Sequence, residues 1–379
     1  MYAHSAILPR KPGHARGQPP SLLPDPDGLV TPSGRSSVKE PWLPGNRIVF
    51  GAAALPEPDR AWLAAAERLP IESVWQGGHI LPRTGTGEVI TRLALMTAWT
   101  ERVRVGTSIL LAPLYPPVII AKQLADLDVH SGGRISVGVG VGGEFPQEFD
   151  AVGVPVAERG ARTDETLDIL RALWSGEPVT HHGKFFHLDE AKLVPVELRG
   201  ADRPGGRPGG PPLLISGRKG PAMRRAARVG DGWMPYLMSP DAYARTVGTV
   251  REHAAAAGRD LEKSGFEWMM YVYCSIRPDG DRARDDVASF LGGAYGNKPG
   301  GMLERVAPAG TPEEVAARFQ QYVDAGVRHF IISPAAHEDT LEVITLAARE
   351  VLPRLTLPAD GLSVDGLSVD GLPADEVSP

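Results

Sequence analysis

One histidine stands out among the few side chains of this sequence that could take part in chemistry. His79 follows a short run that predicts a strand, 73–76. An imidazole gains or loses a proton near neutral pH, so His79 is the candidate general acid or base. A histidine that is merely hydrogen-bonded within the fold fits the same position equally well. The sequence carries no Walker loop, and its spacing predicts neither a Ser-His-Asp set nor a pair of catalytic carboxylates.

Three further histidines do not predict a metal site. His181, His182 and His187 belong to a segment with the pattern of a small hairpin, and no acid or cysteine accompanies them at ligand spacing. We interpret this segment as a solvated loop and predict no metal.

Glycine and backbone amides form the remaining candidates at strand ends. Two β-branched runs end in such candidates. The first ends in Thr107, Ser108 and Ile109, and the second ends in Gly140, Val141 and Gly142. Glycine at such a position lets a flat ligand approach the backbone closely. Glu144 follows the second run and is interpreted as a solvated carboxylate. Segments rich in amides and poor in nucleophiles are typical of a protein whose chemistry comes from a bound cofactor.

The best candidate anion site consists of Ser216, Gly217, Arg218 and Lys219, just before a helix predicted from Pro221. Free amides at a helix N-terminus, together with two cations, suit a phosphate group. Further along this helix, the positive strip continues through Arg224, Arg225 and Arg228. The alternative is a solvated basic face, but the net charge of the chain is −6, and cations gathered in an acidic protein favour the phosphate.

Eight predicted strands alternate with helices and position these candidates. The strands are 47–51, 73–76, 103–111, 134–140, 213–215, 231–234, 268–276 and 329–333. This order predicts an α/β fold, a (β/α)₈ TIM barrel with an insertion between residues 174 and 213, after the fourth βα unit. An open doubly wound sheet is the alternative, but no dinucleotide-binding fingerprint opens its first βα turn. In such a barrel the carboxyl ends of the strands form the site.

Composition limits the class of protein. Of 379 residues, 42% are hydrophobic, enough to bury a sizeable core. We predict a disordered arm over residues 1–46, a catalytic domain over 47–357 and a disordered acidic tail over 358–379. The acidic net charge argues against nucleic-acid binding, and no apolar run is long enough to span a bilayer. The single cysteine, Cys274, and the lack of a secretory signal pattern predict a cytoplasmic protein.

Several ordered motifs resemble those of the bacterial-luciferase-like oxidoreductase family. They are Val105–Ile109, Ala121–Asp128, Ser131–Arg134, Gly138–Gly142, Arg159–Glu165 with Leu173–Trp174, and Gly230–Trp233. The resemblance runs from about Arg47 to Val351. It implies a (β/α)₈ barrel that binds FMN or the deazaflavin coenzyme F420, often as a homodimer. Members of the family transfer hydride to or from small organic substrates, or insert oxygen through a reduced flavin, which a partner reductase can supply.

The resemblance also implies roles for the candidate residues. Ser108–Ile109 matches the family's bulge under the cofactor ring, often a cis non-prolyl peptide. His79 matches the histidine that ends the second strand, Gly140–Gly142 the loop along the cofactor's edge, and Ser216–Lys219 the phosphate loop.

Two positions depart from the family pattern. Gly78 occupies a position where many relatives have an acid, which leaves His79 without an acidic neighbour in sequence. Gly143 occupies a position where many have tryptophan, so the ring pocket is expected to be more open.

The choice of cofactor rests on two further segments. Residues 215–220 and 230–235 are more similar to the deazaflavin-dependent branch, and the cluster of Arg218, Lys219, Arg224 and Arg225 could bind that coenzyme's acidic tail. We therefore expect hydride transfer between F420 and a small, apolar substrate. The alternatives are an FMN-dependent monooxygenase and a non-catalytic flavin-binding barrel.

Overall fold

The computed structural model describes residues 47–54, 59–81, 87–193, 209–295, 300–336 and 339–358. All of them lie in the second of the two units into which the chain divides, residues 42–379. The predicted arm, 1–46, and the predicted tail after Pro358 lie outside the described residues.

Eight parallel strands close into a barrel, which confirms the predicted (β/α)₈ fold. In spatial order they are β1 (Val49–Ala53), β2 (Ser73–Gly78), β3 (Arg104–Leu111), β4 (Ile135–Gly140), β7 (Leu213–Ile215), β8 (Gly232–Trp233), β9 (Glu267–Ile276) and β11 (His329–Pro334). Strand β11 pairs with β1, and β8 pairs with β9, so the sheet has no open edge. All eight predicted strands are present, each with bounds within two residues of the prediction.

Helices surround the barrel in the predicted alternation. They are α1 (Arg60–Ala66), α2 (Val89–Trp99), α3 (Pro117–His130), α4 (Pro146–Ala151), α5 (Arg159–Leu173), α6 (Gly220–Val229), α7 (Pro240–Ala256), α8 (Gly280–Tyr295), α9 (Gly300–Val306), α10 (Pro312–Asp324) and α11 (Thr340–Leu346). Helix α10 begins with a reciprocal capping box formed by Thr311 and Glu314. None of the helices in the described ranges is both long and apolar enough to cross a membrane.

The segment between β4 and α5 differs from the prediction. No helix is predicted there from the sequence, but the segment contains the six-residue helix α4. Pro146 lies in the first turn, where its missing N–H costs nothing, and Phe149 is fully buried on the inner side. A further short strand, β10 (Ala309–Gly310), pairs in parallel with the end of β9.

The insertion contains the predicted hairpin, formed by β5 (Val179–His182) and β6 (His187–Ala191). One carboxylate attaches it to α5: Glu165 accepts hydrogen bonds from the amides of Phe185 and Phe186 and interacts with His181 Nε2 at 3.1 Å. Partial burial favours the protonated acid, but these donors hold the pKa of Glu165 below its usual value. The predicted solvated loop is therefore docked on the barrel, although His182 remains exposed.

A buried ionic network closes the end of the barrel where the strands begin. Arg104 donates to both carboxylate oxygens of Glu267 at 3.0 Å and to Ser136 Oγ. His329 lies 3.5 Å from Glu267 and 2.8 Å from Ser73 Oγ. Burial lowers the pKa of His329; burial would raise that of Glu267, but Arg104 and His329 hold it below its usual value. A ligand must therefore enter from the opposite end.

Candidate functional site

The Ser108–Ile109 peptide bond is cis, as the family resemblance implied. The pairing register of β3 shifts at this point against both of its neighbours, β2 and β4. Ser108 and Ile109 are half-buried, whereas the residues on either side are buried. The bulge therefore presents this dipeptide to the interior of the barrel near its open end.

Two glycines make room for the bulge. A Cβ atom on Gly78 would lie 2.1 Å from the carbonyl oxygen of Ile109, and one on Gly140 would lie 1.8 Å from Ile109 Cδ1. Any side chain at position 78 would thus collide with backbone. This is the physical reason for the glycine before His79, where many members of the resembled family have an acid.

His79 does have an acidic partner, supplied by a distant part of the chain. Its Nδ1 lies 3.0 Å from Oε2 of Glu148, whose side chain is fully buried in α4. The other oxygen, Oε1, accepts hydrogen bonds from the amides of Ile80 (2.6 Å) and Leu81 (2.9 Å). Because this carboxylate accepts from three groups, it fixes both the loop after β2 and the orientation of the imidazole.

The side chain of His79 is one third exposed, and an aromatic side chain packs against its ring. The Phe145 ring packs edge-on against it with centroids 4.8 Å apart. With Nδ1 directed at Glu148, the imidazole's Nε2 is the nitrogen left for a reacting group. Sequence reasoning weighed Glu144 and missed Glu148. The available signal was Phe149 beside it, an apolar residue in a segment assigned to a solvated loop.

Thr107 and Glu144 have structural partners. The hydroxyl of Thr107 donates to the carbonyl of Gly138 at 2.8 Å and links β3 to β4. Glu144 is exposed, as predicted, with Oε1 3.4 Å from the hydroxyl of Tyr236. Neither side chain is directed at the bulge by these contacts.

The loop after β4 takes a conformation that its glycines permit. Gly142 and Gly143 have φ angles of 64° and 121°, a region that disfavours other residues. A Cβ on Gly143 would approach Arg159 Nε to 3.1 Å, so a large side chain there would displace the guanidinium. Val141, between these glycines and β4, is half-buried at the open end of the barrel.

The predicted anion site lies at the same end as the bulge. Ser216 follows β7, and its amide donates to the carbonyl of Val139 at 2.8 Å. Since β4 alone separates β3 from β7 in the sheet, Ile109 and Ser216 flank a single strand. Helix α6 has no side-chain cap, and Lys219 lies at its N-cap position. Pro221 has no N–H and the amide of Ala222 donates to the carbonyl of Lys219 at 2.9 Å, so Gly220 is the first-turn residue whose amide can serve a ligand.

The cations of this region divide into two groups. Lys219 is exposed, and Arg218 lies over the Tyr236 ring at 5.0 Å while donating to the carbonyl of Leu237. Arg225 instead is buried and paired with Asp164 at 2.7 Å, and Arg228 is paired with Asp168 at 2.6 Å.

The prediction that the positive strip continues through these last two residues is therefore wrong. They are neutralised by acids on α5, and Arg225 is not available for a coenzyme's acidic tail.

The residues present fit a flat, anionic cofactor. A Cβ on Gly138 would lie 2.1 Å from the carbonyl of Thr107, so β4 presents bare backbone beside the bulge. The uncapped helix follows β7, which pairs with β4 on the side away from β3, so the anion site and the bulge lie at the same end of the barrel. No group of three or more potential metal ligands occurs among the described residues.

Comparison with known proteins places the chain in a group of related barrels. An uncharacterized protein of Mycobacterium tuberculosis is 34% identical over 199 residues, 52% of this chain and 64% of that protein, so the match spans less than two thirds of the relative's length. An F420-dependent glucose-6-phosphate dehydrogenase of Nakamurella multipartita is 28% identical over 77% of this chain and 90% of its own.

A solved structure extends the likeness to the fold. An F420-dependent secondary alcohol dehydrogenase, in complex with an F420-acetone adduct, superposes with a TM-score of 0.70 at 25% identity, covering 82% of this chain and 99% of the other. The family model for luciferase-like monooxygenases matches residues 56–329. The predicted family is thereby confirmed: this chain belongs to the luciferase-like monooxygenase family.

Proposed function

We propose that this protein transfers a hydride between coenzyme F420 and a small organic substrate, with His79 as the proton carrier. One observation carries the proposal. An imidazole oriented by a buried carboxylate, Glu148, lies at the same end of the barrel as the cis bulge and the uncapped helix. The names of the Nakamurella relative and of the superposed dehydrogenase favour F420 as the cofactor.

Three segments of this chain would hold the cofactor. Ser108–Ile109 would support its ring, Gly140–Gly142 would lie along its edge, and Ser216–Lys219 would bind its phosphate. Lys219 is the exposed cation of the third segment, and Arg218 is held against Tyr236 and so would line the cleft in a fixed position.

His79 would manage the proton of the reaction. When bound, oxidised F420 accepts a hydride from the carbon of an alcohol, and the reverse reaction returns it. The hydroxyl proton of that alcohol would pass to Nε2 of His79, because Nδ1 is committed to Glu148. The alcohol thereby becomes a carbonyl compound, with the hydride and the proton both accounted for. Phe145 limits the access of water to one face of the imidazole.

A second candidate is an FMN-dependent monooxygenase that receives reduced flavin from a reductase. The uncapped N-terminus of α6 suits the phosphate of either cofactor, and the matching family is described as monooxygenase. Pairing of Arg225 with Asp164 also removes one of the cations that favoured the longer acidic tail of F420. Oxygen consumption that depends on added reduced FMN would distinguish this candidate, since deazaflavin does not readily activate oxygen.

The experiment begins with fluorescence titration of the purified protein with F420 and, separately, with FMN. Tight binding of F420, and F420 reduction by alcohols that falls at least 100-fold in His79→Ala, would support the proposal. His130→Ala is the matched control, because His130 is an exposed histidine on α3. Binding of FMN alone would refute the F420 assignment. Full turnover by His79→Ala would favour another proton acceptor, and absence of turnover with either cofactor would favour the non-catalytic barrel.

We also propose a homodimer. The proposal rests on the family resemblance, and Ile119 on α3, which is 54% exposed, offers a position at which to test it. Replacement by glutamate should shift the mass measured by light scattering from dimer to monomer. Val152→Glu, at a residue that directly follows α4 and is 40% exposed, should leave the mass unchanged.

A further inference from the structure

The inner face of β9 forms an aromatic wall from the bulge to the rim of the barrel. Tyr271 packs in the same lumenal cluster as Ile109, and two residues further up, Tyr273 lies with its ring 5.3 Å from that of Tyr271. Phe290 of α8 continues the row at 6.2 Å from Tyr273. All three rings are half-buried. The wall therefore offers a contiguous apolar surface on the side of the lumen facing the glycine-lined strands.

Aliphatic side chains widen this wall. A cluster of buried residues, Val287, Leu291, Ala307 and Ala335, supports Tyr273 and Phe290 from behind, and Leu237 packs against the same cluster from the loop after β8. The surface is consequently built on a rigid apolar base.

Charge at this rim is unfavourable for an anion. Arg277, directly after β9, contacts three carboxylates: Asp286 at 2.8 Å, Glu342 at 3.2 Å and Asp339 at 3.5 Å. Those acids raise the pKa of the Arg277 guanidinium above its usual value, against the effect of burial. One cation and three acids leave this group negative, so it would repel a phosphate or a carboxylate.

One polar pair interrupts the apolar wall. The hydroxyl of Tyr271 donates to Ser333 Oγ at 3.0 Å, inside the lumen. Ser333 is fully buried, so this hydrogen bond ties Tyr271 to β11 and fixes its ring within the wall.

We propose that the substrate is an uncharged alcohol or carbonyl compound with an aromatic or branched aliphatic body, rather than a phosphorylated sugar. Tyr273 and Phe290, both half-buried, would contact that body. This inference rests on the proposed hydride transfer and names the substrate class of the same site.

The test uses the full chain with F420 bound, as verified first by fluorescence titration. Reduction of F420 is followed with 1-phenylethanol, cyclohexanol, glucose and glucose 6-phosphate. We expect kcat/KM for 1-phenylethanol to exceed that for glucose 6-phosphate at least 100-fold. Saturation-transfer NMR of acetophenone with the F420-loaded protein gives a readout of binding that does not depend on turnover.

Tyr273→Ala should raise KM for 1-phenylethanol about tenfold, change kcat little and leave F420 affinity unchanged. Phe185→Ala, an aromatic deletion in the hairpin, is the control and should change neither. Glucose 6-phosphate as the preferred donor, or no acetophenone binding to the loaded protein, would overturn the substrate class while hydride transfer stands. Failure to bind F420 would instead overturn the proposed function, and this inference with it.

Discussion

Glu148→Gln is the substitution that tests the site most directly. The glutamine amide keeps an oxygen that the amides of Ile80 and Leu81 can reach, so the loop after β2 should stay in place. The NH₂ group would then face Nδ1 of His79, 3.0 Å away, where the carboxylate oxygen lies now. Two donors cannot pair, so the imidazole must shift its proton to Nε2.

The size of the effect follows from that one contact. A hydrogen bond to a charged group contributes about 1.5–3 kcal/mol. Because about 1.4 kcal/mol corresponds to a factor of ten in rate, its loss should lower kcat for alcohol oxidation about 10- to 150-fold. The tautomer with its proton on Nε2 cannot accept the proton of the alcohol, so kcat should fall while the affinity for cofactor stays the same.

Steady-state F420 reduction gives kcat, fluorescence titration gives cofactor affinity, and circular dichroism gives the melting temperature. Glu144→Gln is the matched control on the same loop. Its carboxylate is exposed and its contact with Tyr236 is long, 3.4 Å, so we expect less than a twofold change. A kcat for Glu148→Gln within threefold of the unsubstituted protein, with cofactor bound, would refute the role of the pair in proton transfer.

Three other predictions concern the backbone, the anion site and the closed end of the barrel. Gly78→Ala should destabilise the fold by about 1–3 kcal/mol because its Cβ meets backbone, whereas Gly248→Ala, in open space on a helix, should stabilise it slightly; urea denaturation compares them. In a fluorescence titration, Lys219→Ala should weaken cofactor binding about tenfold. Arg225→Ala should lower the melting temperature and leave the affinity for the cofactor unchanged. Burial lowers the pKa of His329 in the folded protein, so just below about pH 6.5 only the unfolded chain binds a proton at this imidazole. The melting temperature should therefore fall as the pH is lowered through that value. An unchanged melting temperature between pH 7.5 and 5.5 would contradict this.

The fold could be predicted because its signals are local. Most strands of the barrel are short, largely apolar runs, and helical periods follow them along the chain. The capping box at Thr311 and the proline at the start of α3 are examples in which both the signal and its structural effect lie within one turn. The helix α4 escaped prediction because six residues carry too little periodicity to identify a helix.

The site was predictable only where the chemistry belongs to a contiguous segment. The anion site at the start of α6 was located by its own residues, and the bulge at Ser108–Ile109 by the match of a contiguous motif to the family. The partner of His79 was not, because 69 residues separate it from Glu148 and the contact exists only when α4 packs against the loop after β2. The pairing of Arg225 with Asp164 was missed for the same reason, since it links two helices across 61 residues.

The absence of an acid at position 78 takes on a different meaning in the structure. Sequence alone suggested a weakened proton carrier, because the residue before His79 is glycine. The bulge explains the glycine, since a side chain there would collide with the carbonyl of Ile109. An acid can then reach the imidazole only from another element, and Glu148 does so from a fully buried position while fixing two amides of the same loop. The geometry that excludes the neighbouring acid thus leaves the histidine oriented more firmly than an exposed neighbour could hold it.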